Sequence, residues 1–530
     1  MSYYQSQYTG AQIDAAVGSL IGVLNSIGTA GSAGFGVGVA PPEALPDGMT
    51  PLYGYTDPTH ANYGNYKYAD GSIMVWVPKF YYRIAHASNP TYGAHGVNSI
   101  DVEGVKTYTT RAAAEAAGYA LHRAFIDGGV EQAGFFIDKF MCSKNALGSG
   151  YVASSIAGGL PISTHSDHNP IADLTACGSN AYFEALNACR ARDGVDGAVN
   201  ADSIFHCASR FQWAALALLS LAHGQAATST TYCAWYDASG AENYPKGCNN
   251  NALGDANDAT VSYQSDGYSN CGKTGSGVPF AKTTHNGQAC GVADVNGLMY
   301  EIQIGLTCIA TSKSISAASQ ANPCQIEVVG HGLVTGQQAL VTSIDGMTEL
   351  NDRIFTVTVV DADNITLDGV DSTGYAAYTS GGSLTYGTFY AAKEATAMRD
   401  FTSGNSAATD HWGATGAAAM MDALPLVLAD GAISMKMGDG ANQVLAEDVS
   451  GDSWRRTCLG LPLTDGQSTS GTNLFGTDYF YRYIRNELCP IASCSWTNGS
   501  NAGVWGLTLR NSRANSYYGV GLRAACYPGA

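Results

Sequence analysis

Ser495-Trp-Thr-Asn-Gly-Ser-Asn-Ala-Gly-Val-Trp-Gly-Leu-Thr-Leu-Arg-Asn-Ser-Arg-Ala-Asn-Ser-Tyr-Tyr-Gly-Val-Gly-Leu-Arg523 stands near the carboxyl end of the 530-residue chain. Two kinds of residue are interleaved in it. Val504, Leu507, Leu509 and Val520 are apolar and suited to anchoring a segment in a core, while Asn, Ser, Tyr, Trp and Arg stand between them. The second set is the composition that antibody loops use. Tyr and Trp offer large rigid contact area, Ser and Asn adaptable hydrogen bonds, and Arg a bidentate fork. Such a segment reads as a recognition surface held by a fixed frame, in which a few anchors can dominate binding. Tyr517 and Tyr518 have a second reading as rings packed on a neighbour, because cores and interfaces both favour aromatics.

The rest of the composition narrows the function classes. Only 13% of residues are charged, while Gly reaches 64 and Tyr 31, against about 25% charged in ordinary soluble proteins. With 26 basic and 44 acidic residues the formal charge is −18, which disfavours a grip on nucleic-acid phosphates. No nucleic-acid partner is expected. The longest apolar run tested, Trp213 to Ala222, has ten residues, against about 20 for a spanning helix. No membrane insertion is expected. Met1-Ser-Tyr-Tyr-Gln5 lacks the basic and apolar regions of a secretory signal, so assembly in a cytoplasm, with release by lysis, is the expectation. Fourteen cysteines run from Cys142 to Cys526 without a Cys-x-x-Cys pair. That removes the usual zinc spacing and predicts mostly buried thiols.

The chain divides into three units. Residues 1–45 carry an amphipathic stretch around Ile13, Ala16, Val17, Leu20 and Ile21, then a Gly/Ala-rich run from Gly31 to Val39 and Pro41-Pro42. This predicts a short helix and a flexible joint, for attachment or oligomerisation. Residues 46–307 and 389–530 form one split α+β unit of short strands, Gly-rich turns and few helices. Helices are expected from Arg111 to Ala117 behind Thr110, from Ala181 to Arg192 behind Asn180, and from Ser203 to His223. In the last, Phe211, Ala215, Leu218, Leu219 and Ala222 share one face. Residues 308–388 read as an inserted all-β module, with alternation at 325–329, 339–342, 355–359 and 364–367.

No stretch makes a convincing catalytic centre. Gly267-Tyr-Ser-Asn-Cys-Gly-Lys-Thr274 fits the phosphate-loop letters, but Gly275, Gly277 and Pro279 follow where a helix must start. His165-Ser-Asp-His168 spaces two imidazoles for a metal, without an evident third ligand. The acidic stretches Asp193 to Asp202 and Asp361 to Asp371 lack the sixth-position Gly of a calcium loop. Neither a serine elbow nor a pair of glycosidase carboxylates stands out. No metal, cofactor or catalytic residue is expected.

Four blocks carry a resemblance. Gly134-Phe-Phe-Ile-Asp-Lys-Phe140, Phe211-Gln-Trp-Ala-Ala215, Val292-Ala-Asp-Val-Asn-Gly-Leu-Met-Tyr-Glu301 and Gly521-Leu-Arg-Ala-Ala525 resemble, in order, those of formylglycine-generating enzymes and their C-type-lectin-fold relatives. The fold this implies is a C-type-lectin fold, α+β, interrupted by the small all-β module. His331-Gly-Leu333, Thr335-Gly336, Gly346-Met347, Glu349-Leu-Asn351, Phe355-Thr-Val357 and Gly374-Tyr375 to Gly382 resemble a small β module embedded in many phage tail proteins and related to a domain of ubiquitin-activating enzymes. Tyr8-Thr-Gly-Ala-Gln-Ile-Asp-Ala-Ala-Val17 resembles the opening of phage tail-fibre proteins. The oxidase departs from this chain at its copper ligands. Aligned on Ser493-Cys-Ser495, its two thiolates fall on Asn498 and Gly503, and the Cys489/Cys494 pair stands about nine residues early, so oxidase chemistry is not expected.

The opening stretch is similar to the variable region of proteins diversified by retroelements, phage tropism determinants among them. That likeness implies a frame of Trp496, Gly499, Ala502-Gly503, Leu507, Leu509, Ser512-Arg513, Ser516, Val520-Gly521 and Arg523. It implies interchangeable, receptor-binding positions at Thr497, Asn498, Ser500, Asn501, Trp505, Thr508, Arg510, Asn511, Asn515, Tyr517, Tyr518 and Gly519. The expectation is a non-enzymatic phage receptor-binding protein at the tail tip of a virion. It would bind a host cell-surface receptor, protein or glycan, meet other tail or baseplate proteins through its N-terminus, and form a homotrimer. A surface-displayed bacterial or prophage lectin-fold protein, a copper oxidase or capsule depolymerase, and a purely structural virion protein stay as alternatives.

Overall fold

Ile73-Met-Val-Trp-Val-Pro78 is apolar throughout, the pattern of a strand covered on both faces, and all but Ile73 are buried. The computed structural model of the protein describes residues 9, 26–166, 181–238, 253–254, 258–268, 270–401, 419–428, 434–436, 457–461 and 478–528. In it, Ile73–Pro78 belongs to a six-stranded sheet in the order Thr50–Pro51, Asn65–Lys67, Ile73–Pro78, Gly134–Asp138, Ala524–Cys526, His206–Cys207. The C-terminal strand thus lies between segments from the first half of the chain, with Ala525 opposite Ile137 on one side and His206 on the other. Sheets predominate, and four α-helices occur among the described residues. The chain is mostly sheet with few helices, as an α+β or mainly β class has.

Helix boundaries follow the caps. Thr110 Oγ accepts from the Ala113 amide at 3.2 Å and opens Arg111–Ala116, with Gly118 at φ +82° behind it. Ala181–Arg190 forms as expected and ends two residues early; Asn180 lies outside the described residues. The long helix is Arg210–Ala226 rather than Ser203 to His223. Ser209 and Gln212 close a reciprocal capping box there. Upstream of it, His206–Cys207 is held extended by its pairing with Ala524 and Ala525, so tertiary pairing overrides the weaker Ser203 start.

The run Gly31 to Val39 is not a flexible joint. Phe35 and Val37 are fully buried, Phe35 stacks on His223 at 5.2 Å, and Asn286 donates to the Phe35 carbonyl at 2.8 Å. Glycine there serves close approach: a Cβ on Gly31, at φ +82°, would stand 2.7 Å from the Ala226 carbonyl oxygen. The expected helix around Ile13 lies outside the described residues.

One side chain ties the four resembling blocks together. Arg523 is fully buried and spends all five N–H groups. Two go to Glu301, each at 2.8 Å, and the others to the carbonyls of Asp138, Lys139 and Ala293 at 2.8, 3.1 and 2.9 Å. Its guanidinium also lies 5.9 Å from the Trp213 ring. Burial alone would lower the Arg523 pKa, but the Glu301 carboxylate carries it upward, so the cation is held. Next to it, Asp138 takes a bidentate pair from buried Arg192 at 2.6 and 2.8 Å and the Ala524 amide at 2.9 Å.

The inserted module stands on a ribbon. Leu306–Ser314 and Ser380–Ala392 pair antiparallel from Leu306 opposite Ala391 to Ser314 opposite Ser383. Gln338–Asp345, Arg353–Val359, Asn364–Leu367, Cys324–Glu327 and Ala317–Ala318 continue the sheet in that order. These strands reproduce the alternation read from the sequence. Inward Ile326, Val341, Phe355, Val357, Ile365 and Leu367 build a core of the module's own.

Candidate functional site

A second six-stranded sheet supplies the floor of the site: Ser434–Lys436, Tyr479–Tyr481, Leu507–Thr508, Ile491–Ala492, Tyr300–Ile302, Val520–Gly521. Side chains alternate across a strand, and cross-strand partners share a face. Thr508 is in register with both Tyr481 and Ile491, and Tyr300 with Val520. These five line one cleft of about 500 Å³. The alternate positions Phe480, Leu507, Ala492 and Glu301 are buried on the opposite face, where Glu301 meets Arg523.

Two loops make the rim. Ser495, Thr497 and Asn498 come from the turn after Ile491–Ala492, and Arg510, Asn511, Asn515 and Tyr517 from the loop between Leu507–Thr508 and Val520–Gly521. Asn498 is fixed: its Oδ1 accepts from the Ser495 amide at 2.9 Å and hydroxyl at 3.0 Å, and its Nδ2 donates to the Tyr481 hydroxyl at 3.2 Å. Tyr517 is held through its backbone, its amide donating to Thr164 Oγ1 at 2.8 Å and its carbonyl accepting from that hydroxyl at 3.0 Å. Its ring lies 4.1 Å from that of Tyr518. Burial and then the Tyr518 hydroxyl push the Tyr517 phenol up to about 12, and burial also raises those of Tyr300 and Tyr481. All three are protonated donors at neutral pH.

Of the twelve expected positions, Thr497, Asn498, Thr508, Arg510, Asn511, Asn515 and Tyr517, seven in all, line the cleft. Ser500 and Asn501 are half-buried on the short turn Gly499–Asn501 beside it. Tyr518 is half-buried among the rings of Trp496, Tyr268 and His165 at 5.8, 6.0 and 6.3 Å, so its packing role is realised. Trp505 is a correction: it is 1% exposed and part of the main core. The Asp478 carboxylate takes its amide at 2.9 Å, and its ring lies over Gly460, so it belongs to the frame rather than to the display. Gly519 is also buried, and its carbonyl accepts from the Tyr300 amide at 2.9 Å, an architectural position. The anchors Val504, Leu507, Leu509 and Val520 are all buried.

Sequence reading missed Tyr300, Tyr481, Ile491 and Ser495 as lining residues. Tyr300 is the neighbour of Glu301 in a block already singled out, and strand alternation sends the two to opposite faces; that was the available signal. Tyr481 lies in a different segment, joined to the others only by pairing.

The remaining motifs do not gather into chemistry. Among the described residues, no group of three or more His, Cys, Asp or Glu could hold a metal ion. Asp167 and His168 lie outside them. The described residues of 267–274 form turns and one bridge, Gly272 to Ser265, rather than a helix N-terminus, with Thr274 Oγ1 donating to the Ile156 carbonyl at 2.6 Å, and a 3-10 turn at Phe280–Thr283 follows. All twelve described cysteines are buried free thiols. Burial pushes Cys489 up to about 12 and raises Cys494 further. No described helix is long and apolar enough to cross a membrane. No protein-family model matches the chain, and a search of curated proteins finds none similar to it.

Proposed function

We propose that this chain is the receptor-binding protein of a phage tail tip, a C-type-lectin fold interrupted by a β module, which grips a host cell-surface receptor without catalysis. The observation that carries the reading is the cleft of about 500 Å³ in which seven of the twelve positions implied by the variable-region likeness meet. Two further facts support it. The four resembling blocks, distant in sequence, converge on Arg523. The rim residues stand on a frame whose anchors are buried, so exchanging exposed side chains there should alter stability by only about 0.5 kcal/mol each. Specificity can then change while the fold persists.

Virions carrying Ala at Arg510, Asn511, Asn515 and Tyr517 are expected to adsorb to host cells at least tenfold less, with the melting midpoint of the purified chain moved by no more than a few degrees. Undiminished adsorption would overturn the reading. A homotrimer, with the N-terminal segment joined to other tail or baseplate proteins, belongs to the same proposal, since linked sites gain about 10²–10⁴ in avidity. Light scattering is expected to give three times the 55.1 kDa chain mass; a monomer at every concentration removes that part.

A further inference from the structure

Resting on the receptor-binding reading, we infer that the cleft takes a uronic-acid-bearing glycan, seating an acidic pyranose with its carboxylate on Arg510 and a ring face on Tyr517. Charge is the first ground. The chain carries a formal −18, yet among the described residues no Asp or Glu lines the cleft, and Arg510 is the one charged residue that does. Arg510 is exposed, and among the described residues its guanidinium has no hydrogen-bond or ion-pair partner; only its backbone amide is engaged, with Thr508 Oγ1. A free planar fork matches a carboxylate in a bidentate pair. On a protein this acidic, a small anion meets less repulsion here than over the carboxylate-bearing surface.

The lining chemistry supplies the second ground. Asn511 and Asn515 are also without side-chain partners among the described residues, and each amide offers both donors and an acceptor. Sugar hydroxyls donate and accept, so a pyranose can take up both kinds. Thr497, Ser495 and Asn498 add hydroxyl and amide groups along the rim. A protein receptor would favour a desolvated apolar pocket for a hot-spot anchor. Here the aliphatic contribution is Ile491 and Val520, each 2% exposed and confined to the floor.

Aromatic geometry is the third ground. The Tyr517 ring is half-buried, tilted by 34° to the Tyr518 ring at 4.1 Å, and its backbone is clamped by Thr164. A rigid phenol presents a partly negative face to the C–H edges of a pyranose at little entropic loss. The volume, about 500 Å³, lies in the range of small-ligand sites and suits a short oligosaccharide.

Titration calorimetry of the purified full chain with galacturonate, glucuronate and mannuronate trisaccharides, and with the neutral galactose, glucose and mannose counterparts, tests this. At least one acidic trisaccharide is expected to bind, with its neutral counterpart at least tenfold weaker. Arg510→Ala is expected to weaken that binding about tenfold or more, as loss of a charged hydrogen bond does. Arg510→Lys should restore only part of it, because the ammonium keeps the charge without the fork. No binding of any acidic trisaccharide, equal binding of acidic and neutral sugars, or an unaltered Arg510→Ala variant overturns the glycan inference. If the four-residue variant still loses adsorption in that case, the cleft grips a receptor of another kind and only the glycan inference falls. If adsorption is unaltered, both fall.

Discussion

Replacing Arg523 with alanine is expected to destabilise the fold by about 3–5 kcal/mol, the range for removing one partner of a buried ion pair. The loss has two parts. Glu301, 1% exposed, is left as a carboxyl without its counter-charge, and the carbonyls of Asp138, Lys139 and Ala293 lose the donors they have at 2.8, 3.1 and 2.9 Å. Against total stabilities of about 5–15 kcal/mol, that is a large fraction. Urea unfolding followed by circular dichroism and by tryptophan fluorescence, with Trp213 beside the guanidinium, should show a much lower midpoint in both signals. The double variant Arg523→Met/Glu301→Leu should recover part of the loss, because it removes both charges rather than stranding one. A single variant within about 1 kcal/mol of the parent would sink the idea that this node unites the blocks. Function should follow stability here: Glu301 is one residue from Tyr300, so a displaced strand tilts the cleft floor.

Acidification is the second large effect. Burial lowers His122 and His285 to about 3 and His206 and His223 to about 4, from about 6.5 in an unfolded chain. A depressed folded-state value means that the unfolded chain binds the proton first. The stabilisation is therefore full above about pH 6.5 and is lost as pH falls toward the folded values. From pH 7 to 4.5 each imidazole contributes a loss of about 2–3 kcal/mol. Buried carboxyls act in the opposite sense, and burial raises Asp127 and Glu301 among them. Burial raises Asp294 to about 6 and Glu184 to about 7, so the folded chain takes their protons first, and Asp294 regains about 2 kcal/mol. The four imidazoles outweigh these carboxyls and leave a net loss of about a few kcal/mol. Thermal melts should fall steeply between pH 6.5 and 4.5; a flat profile across that interval would contradict the burial of these rings.

Legibility of the fold varied with the range of the interaction that decides each element. Alternation is local, so the module strands and the anchors Val504, Leu507, Leu509 and Val520 could be read directly. Caps are local as well, and Thr110 was found. The start of the long helix was misread because Ser203 and Ser209 are both acceptable caps, and the choice is made by the pairing of His206 with Ala525 more than three hundred residues away. Gly31 to Val39 looks like a joint in composition, but its glycines mark close packing against Ala226 and His285. Within the site, composition singled out the segment 495–523 but could not sort its aromatics: Trp505 turns inward, Tyr518 joins a ring cluster and Tyr517 lines the cleft. Tyr481 was illegible for the same reason as the helix start, since only its pairing with Thr508 brings it there.

The ribbon beneath the inserted module has an evolutionary corollary. Ser314 and Ser383 face each other across one strand spacing, about 4.8 Å, so the two chain ends of the module leave the body side by side, while Leu340 and Ile354 pack in the main core and Gln338 exchanges two hydrogen bonds with Leu428. Loop-closure entropy grows only logarithmically with the enclosed length, so shortening the module costs little through chain closure, and the penalty falls instead on the contacts that Leu340, Ile354 and Gln338 make with the body. Recombination that spares those contacts can exchange the outer strands of the module while the strands behind the cleft keep their register.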